Sequence, residues 1–81
     1  MSLNAIVGRN VRIARAERGM TQEDLAAAMG WTRDSVSATE CGTNNLSLRA
    51  VDRLASCLDL SPAALFRDRR HVPHDPDRGG R

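Results

Sequence analysis

The sequence predicts an all-α fold, a compact bundle of five short helices followed by a flexible tail, and three observations carry this prediction. Trp31 and Phe66 are the only aromatic residues, so the core has to be built from Leu, Val, Ala and Met. Those side chains suit helix-on-helix packing, and strand-forming residues are scarce. Helix start signals recur at Thr21, Thr32, Ser47 and Ser61, and glycines mark helix ends at Gly19, Gly30 and Gly42. At 81 residues the chain is one domain at most, near the lower limit at which a hydrophobic core alone holds a fold. The domain is expected over residues 1–67 and the tail over 68–81.

The first helix is expected from about Leu3 to Arg18, because Val7, Val11, Ala14 and Arg18 recur at i, i+4, i+7 and i+11. Arg9 and Arg12 lie off that stripe, toward solvent or a ligand. The second begins with Thr21 as N-cap, Asp24 closing a capping box and Met20 placed to touch Leu25. It ends at Gly30 and buries Leu25, Ala26 and Met29. The third starts two residues later at Thr32, with Trp31 packing on Val36, and stops at Gly42. The fourth follows Ser47, with Leu46 against Val51 and a stripe of Leu48, Val51, Leu54, Ala55 and Leu58. The fifth opens at Ser61-Pro62, proline suiting the first helical position, and includes Leu65 and Phe66. From Asp68 the composition turns to Arg, His, Pro, Asp and Gly, which predicts disorder. No internal repeat is visible.

The twelve basic residues are all arginine, against ten acids, for a net charge of +2. That modest sum does not itself require a polyanionic partner, but the distribution is uneven. Arg9, Arg12, Arg15 and Arg18 face only Glu17 in the first 22 residues, and five further arginines lie in 67–81. Nothing approaches the roughly 18 apolar residues of a membrane span, and no signal-peptide layout opens the chain, so the expected location is the cytoplasm. Cys41 and Cys57 read as free thiols, and with His71 and His74 they fit no zinc spacing. No Gly-rich phosphate loop and no nucleophile with a nearby base is present, which argues against an enzyme.

Two short helices joined by a tight glycine-containing turn, from Thr21 to Gly42, describe a helix-turn-helix. Ala26 is small where the two helices approach, and Val36 supplies the apolar anchor of the second. The run from Val7 to Phe66 resembles the xenobiotic-response-element type helix-turn-helix family, which contains the phage repressor and Cro proteins and the controller proteins of restriction-modification systems. The resemblance is carried by Val7-Gly8, Val11-Arg12, Arg15, Gly19 to Ala26, Gly30, Val36-Ser37, Glu40, Gly42, Asn45 to Leu48 and Leu60-Ser61-Pro62. It implies a lambda-repressor-like arrangement of five helices, a homodimer on a palindromic operator and transcriptional control without a cofactor. It does not separate a controller protein from a phage-type repressor or another small regulator.

The resemblance also implies roles for particular positions. Arg33, Asp34, Ser35, Ser37 and Ala38 occupy the positions that face base edges. Gln22 resembles the residue that contacts a backbone phosphate and braces the recognition helix, and Arg15 with Glu40 resembles the family's internal ion pair. Three departures stand out. Thr39 replaces a bulky apolar residue, which predicts looser or rearranged packing under the third helix, Cys41 replaces a basic or amide residue, and Asp34 brings a negative charge to the groove-facing surface.

Chemistry supports these readings to different degrees. A planar guanidinium at Arg33 can donate two parallel bonds to O6 and N7 of guanine. Arg9, Arg12, Thr32 and the loop amides near Thr43, Asn44 and Asn45 are candidate phosphate contacts, which set affinity and register. Arg9 and Arg12 read equally as a solvated helix face. Leu48, Val51, Leu58, Leu65 and Phe66 are candidate dimer-interface residues, with plain core as the other reading. An alternative function is that of an antitoxin or other interaction module that neutralises a partner protein, against which the tail lacks apolar anchors.

Overall fold

A computed structural model describes residues 2–68, and within them the chain forms five α-helices and no strand. They are α1 (Leu3–Glu17), α2 (Gln22–Met29), α3 (Arg33–Cys41), α4 (Leu48–Cys57) and α5 (Pro62–Leu65). The expected tail lies, from residue 69 onward, outside the described residues.

Local chemistry sets where each helix starts. The side chains of Ser2, Thr21, Thr32 and Ser47 each accept a hydrogen bond from the backbone N–H three residues on, satisfying donors that have no partner inside the helix. At Thr21 the box closes, since the Asp24 carboxylate accepts in turn from the Thr21 N–H at 2.9 Å. Ser61 makes no such bond, and α5 instead begins on Pro62. Gly30 ends α2 at φ +71°, a left-handed conformation that reverses the chain within two residues.

The helices close around Val7, Val11 and Ala14 of α1, Leu25, Ala26 and Met29 of α2, Val36 of α3, Val51, Leu54 and Ala55 of α4, Leu58, and Leu65 of α5. α1 packs on α3 and α5, α2 packs on α3 and α4, and α4 packs on α5. Two expectations about the stripes need correction. Arg18 is exposed, with its guanidinium turned back to the Ala14 carbonyl at 3.0 Å, so the buried stripe of α1 ends at Ala14. Leu48 is 81% exposed and borders an open groove between α4 and α5 instead of joining the core.

Two glycines permit α1 to approach α3 closely. A Cβ on Gly8 would overlap the Thr39 carbonyl oxygen, and one on Gly42 would stand 2.8 Å from the Ala5 Cα. Asn10, buried on the same face as Val7 and Val11, donates its amide to the carbonyls of Leu65 (2.8 Å) and Arg67 (2.6 Å). This holds the end of α5 to the middle of α1 across more than fifty residues of chain.

Candidate nucleic-acid interface

Val36 and Thr39, three residues apart on one side of α3, are the buried positions of that helix. Its opposite side carries Arg33, Asp34 and Cys41 exposed, with Ser35, Ser37 and Ala38 half-buried beside them. The sequence-predicted base-facing residues therefore share the outer surface of one helix, and Cys41 extends it by another turn.

Glu40 fixes how that helix is held. Its carboxylate accepts from Arg15 Nε at 2.6 Å and Nη2 at 3.2 Å, and from Gln22 Nε2 at 3.1 Å. A third Arg15 nitrogen donates to the Met20 carbonyl at 2.7 Å. One carboxylate thus joins α1, α2 and α3, with the Glu40 side chain only 4% exposed and Arg15 16%. The hydrogen bond to Glu40 raises the Arg15 pKa further, against the lowering effect of partial burial. Gln22 keeps one amide hydrogen beyond the one given to Glu40.

At the start of α3, the Thr32 hydroxyl accepts from the Ser35 N–H at 3.1 Å and donates to the Ser35 hydroxyl at 3.0 Å. Arg33 Nε lies 3.2 Å from a Glu23 carboxylate oxygen, both side chains being mostly exposed. Such a pair is weak in water and yields readily to another partner. Asp34 is exposed.

The residues flanking this face differ in availability. Arg12 is exposed, whereas Arg9 is half-buried, with an Nε that has no hydrogen-bond partner among the described residues. In the loop after α3, the Thr43 hydroxyl donates to the Ala38 carbonyl at 3.1 Å. The Asn44 side chain turns inward, donating to the Ser35 carbonyl and the Thr39 hydroxyl, and Asn45 is paired with Asn4 at 2.9 Å.

The candidate dimer residues divide. Leu58 and Leu65 are wholly buried in the core of the single chain and are withdrawn as interface residues, because a side chain already covered by its own fold has no surface left for a second copy, and Val51, 4% exposed, shows only an edge to the groove between α4 and α5. Leu48 and Phe66 remain, lining the α4–α5 groove with Arg49, Asp52 and Pro62. Asn4 and Asn10 were missed in the sequence, and Glu23 and Gly8, though part of the resemblance, had no role assigned there. Asn10 had left a signal, a polar residue three positions after Val7 on an apolar stripe. Thr39, where the family resemblance predicts a bulky apolar side chain, is 1% exposed and its hydroxyl accepts from Asn44 Nδ2 at 3.1 Å. Among the described residues no cluster of three metal-ligating side chains occurs, and no helix is long and apolar enough to cross a membrane.

The geometry, two short capped helices at a glycine turn with the second braced from behind and polar in front, defines a helix-turn-helix protein. A family model described as a helix-turn-helix domain matches residues 6–68, and the chain belongs to that family. It is 34% identical over 64 residues to a hypothetical transcription factor of Neisseria meningitidis, a match covering 79% of this chain and 60% of the relative's own length. The restriction-modification controller protein C.AhdI of Aeromonas hydrophila has a similar structure, with 36% identity and a TM-score of 0.73 over 78% of this chain and 96% of that one. The controller protein C.Esp1396I, solved as a tetramer with its natural 35 base-pair operator, matches at 30% identity and a TM-score of 0.71 over 82% of this chain and 87% of that one.

Proposed function

We propose that this chain is a sequence-specific DNA-binding transcriptional regulator that presents α3 to the major groove and acts as a cytoplasmic homodimer on a palindromic operator. The observation that carries this reading is the division of α3. Its inner side is held by Val36, Thr39 and the Glu40 ion pair, while its outer side offers Arg33, Asp34, Ser35, Ser37 and Ala38. A helix so braced can enter a groove about 12 Å wide without losing its own packing. The operator complex of C.Esp1396I, a structural relative, supports duplex DNA as the ligand.

In this reading Arg33 leaves the exposed Glu23 carboxylate to donate to guanine, and Asp34 accepts from a cytosine amino group. Gln22, Arg9, Arg12, Thr32 and the backbone of Asn44 and Asn45 meet phosphates and set the register, while both donors of Thr43 are spent on the Ala38 carbonyl. Leu48 and Phe66 contribute to the contact between copies. No cofactor and no catalytic step enter the proposal.

Selection of bound sites from a random duplex library tests it, run at one stated salt concentration with wild type and Arg33→Ala. The wild type is expected to enrich a palindrome, and the variant to lose preference at one base per half-site, a change of about 1–3 kcal/mol in discrimination. Equal enrichment of all sequences by the wild type would overturn the proposal.

A further inference from the structure

The geometry points to Asn44 as a positioning residue of the DNA-facing helix, one that acts through the buried hydroxyl of Thr39 instead of through a side-chain contact with phosphate. This inference rests on the DNA-binding reading above and assigns a part of its specificity to the loop after α3.

Thr39 faces the interior at 1% exposure, where an unpaired hydroxyl is costly. Asn44 meets that need, donating from Nδ2 to Thr39 Oγ1 at 3.1 Å and to the Ser35 carbonyl at 3.3 Å. Exchanging the amide nitrogen and oxygen would set an oxygen against the Ser35 carbonyl, so the direction of these bonds is settled by their partners. An amide nitrogen carries two hydrogens, and both are committed here, leaving none for a phosphate.

The backbone follows the same course. The Gly42 N–H donates to the Thr39 carbonyl and the Thr43 N–H to the Ala38 carbonyl. The loop is therefore fastened to α3 by its amides at one end and by the Asn44 side chain one turn further back. Helix and loop move as one body, so the angle between base-facing residues and loop amides is set before DNA arrives. Preorganisation of this kind favours the site whose bases and phosphates fit together, and contributes nothing to indiscriminate attraction.

The test measures affinity for the sequence selected above and for an unrelated duplex, across a range of salt concentrations, for the full chain and its Asn44→Ala, Thr39→Val and doubly substituted forms. Thr39→Val, which removes one of the two side-chain bonds, is expected to bind the selected site about tenfold more weakly, and Asn44→Ala, which removes both, at least as weakly. For each variant the affinity for the unrelated duplex and its salt dependence should stay at the wild-type values, and the double variant should lose no more than Asn44→Ala alone. Thr39→Ser, which keeps the hydroxyl, should retain wild-type affinity. A uniform loss on both duplexes would make Asn44 a phosphate contact, which carries no sequence information, and would overturn the inference. Additive losses in the double variant would also overturn it. Should the wild type select no sequence, the DNA reading fails, and amide hydrogen exchange then decides the latch separately. The Thr43 N–H is expected to exchange about tenfold faster in Asn44→Ala, and unchanged exchange would refute it.

Discussion

Glu40 and Leu58 sit at the centres of two differently built halves of this molecule. Around Glu40, α1, α2 and α3 are joined by directed bonds: three donors converge on one carboxylate, and Asn44 bridges loop and helix. Around Leu58, α4 and α5 are held chiefly by apolar burial of Val51, Leu54, Ala55 and Leu65, with Asn10 and Arg53 supplying the polar ties to α1 and α2. Burial is non-directional and fixes distance better than angle, whereas hydrogen bonds fix orientation. The half that carries the outer surface of α3 is the half that needs orientation.

The largest effect that would break this contrast is at Glu40. Glu40→Ala should destabilise by about 3 kcal/mol in urea unfolding, since it strands a partly buried guanidinium. A loss no larger than that of an exposed ion pair would mean the three-helix junction is not held electrostatically. Gly8→Ala should follow, at about 1–3 kcal/mol, because the new methyl group meets the Thr39 carbonyl and forces α1 and α3 apart. Thr21→Ala should cost about 1 kcal/mol through the lost cap. The paired Asp24 carboxyl is held below its ordinary value by the bonds from Thr21. Its contribution is therefore present above the unfolded aspartate pKa and lost as pH falls through the depressed folded one. The acid side of the stability profile should accordingly flatten in Asp24→Asn, read as unfolding midpoints between about pH 5 and pH 2. The smallest change in fold stability, within about 0.5 kcal/mol, is expected for Leu48→Ser on the other half. There the signal should be weaker self-association in sedimentation, and an unchanged oligomeric state would remove Leu48 from the proposed contact between copies.

Legibility followed the range of the interaction. Thr21, Thr32 and Ser47 are caps whose partners lie three residues away, so they could be read directly, and the glycine turn at Gly30 likewise. The Arg15–Glu40 pair spans twenty-five residues and was expected only through resemblance to a family. Asn10 reaches carbonyls more than fifty residues distant, and nothing near it in the chain names them. Thr39 could be marked as a departure, but its partner Asn44 emerged only when loop and helix were placed together.

The apolar pattern of α4 and α5 shows most clearly what periodicity leaves open. A stripe states that side chains leave water without stating whether their own chain or a second one covers them. Val51, Leu58 and Leu65 are covered by their own chain, while Leu48 at the first turn is not. Sequence alone determined where helices begin and end and which faces are apolar, because capping, turns and periodicity are decided within a few residues. Tertiary structure alone decided which of those faces remain free and which polar groups meet, because both depend on how far apart and at what angle separate helices come to rest.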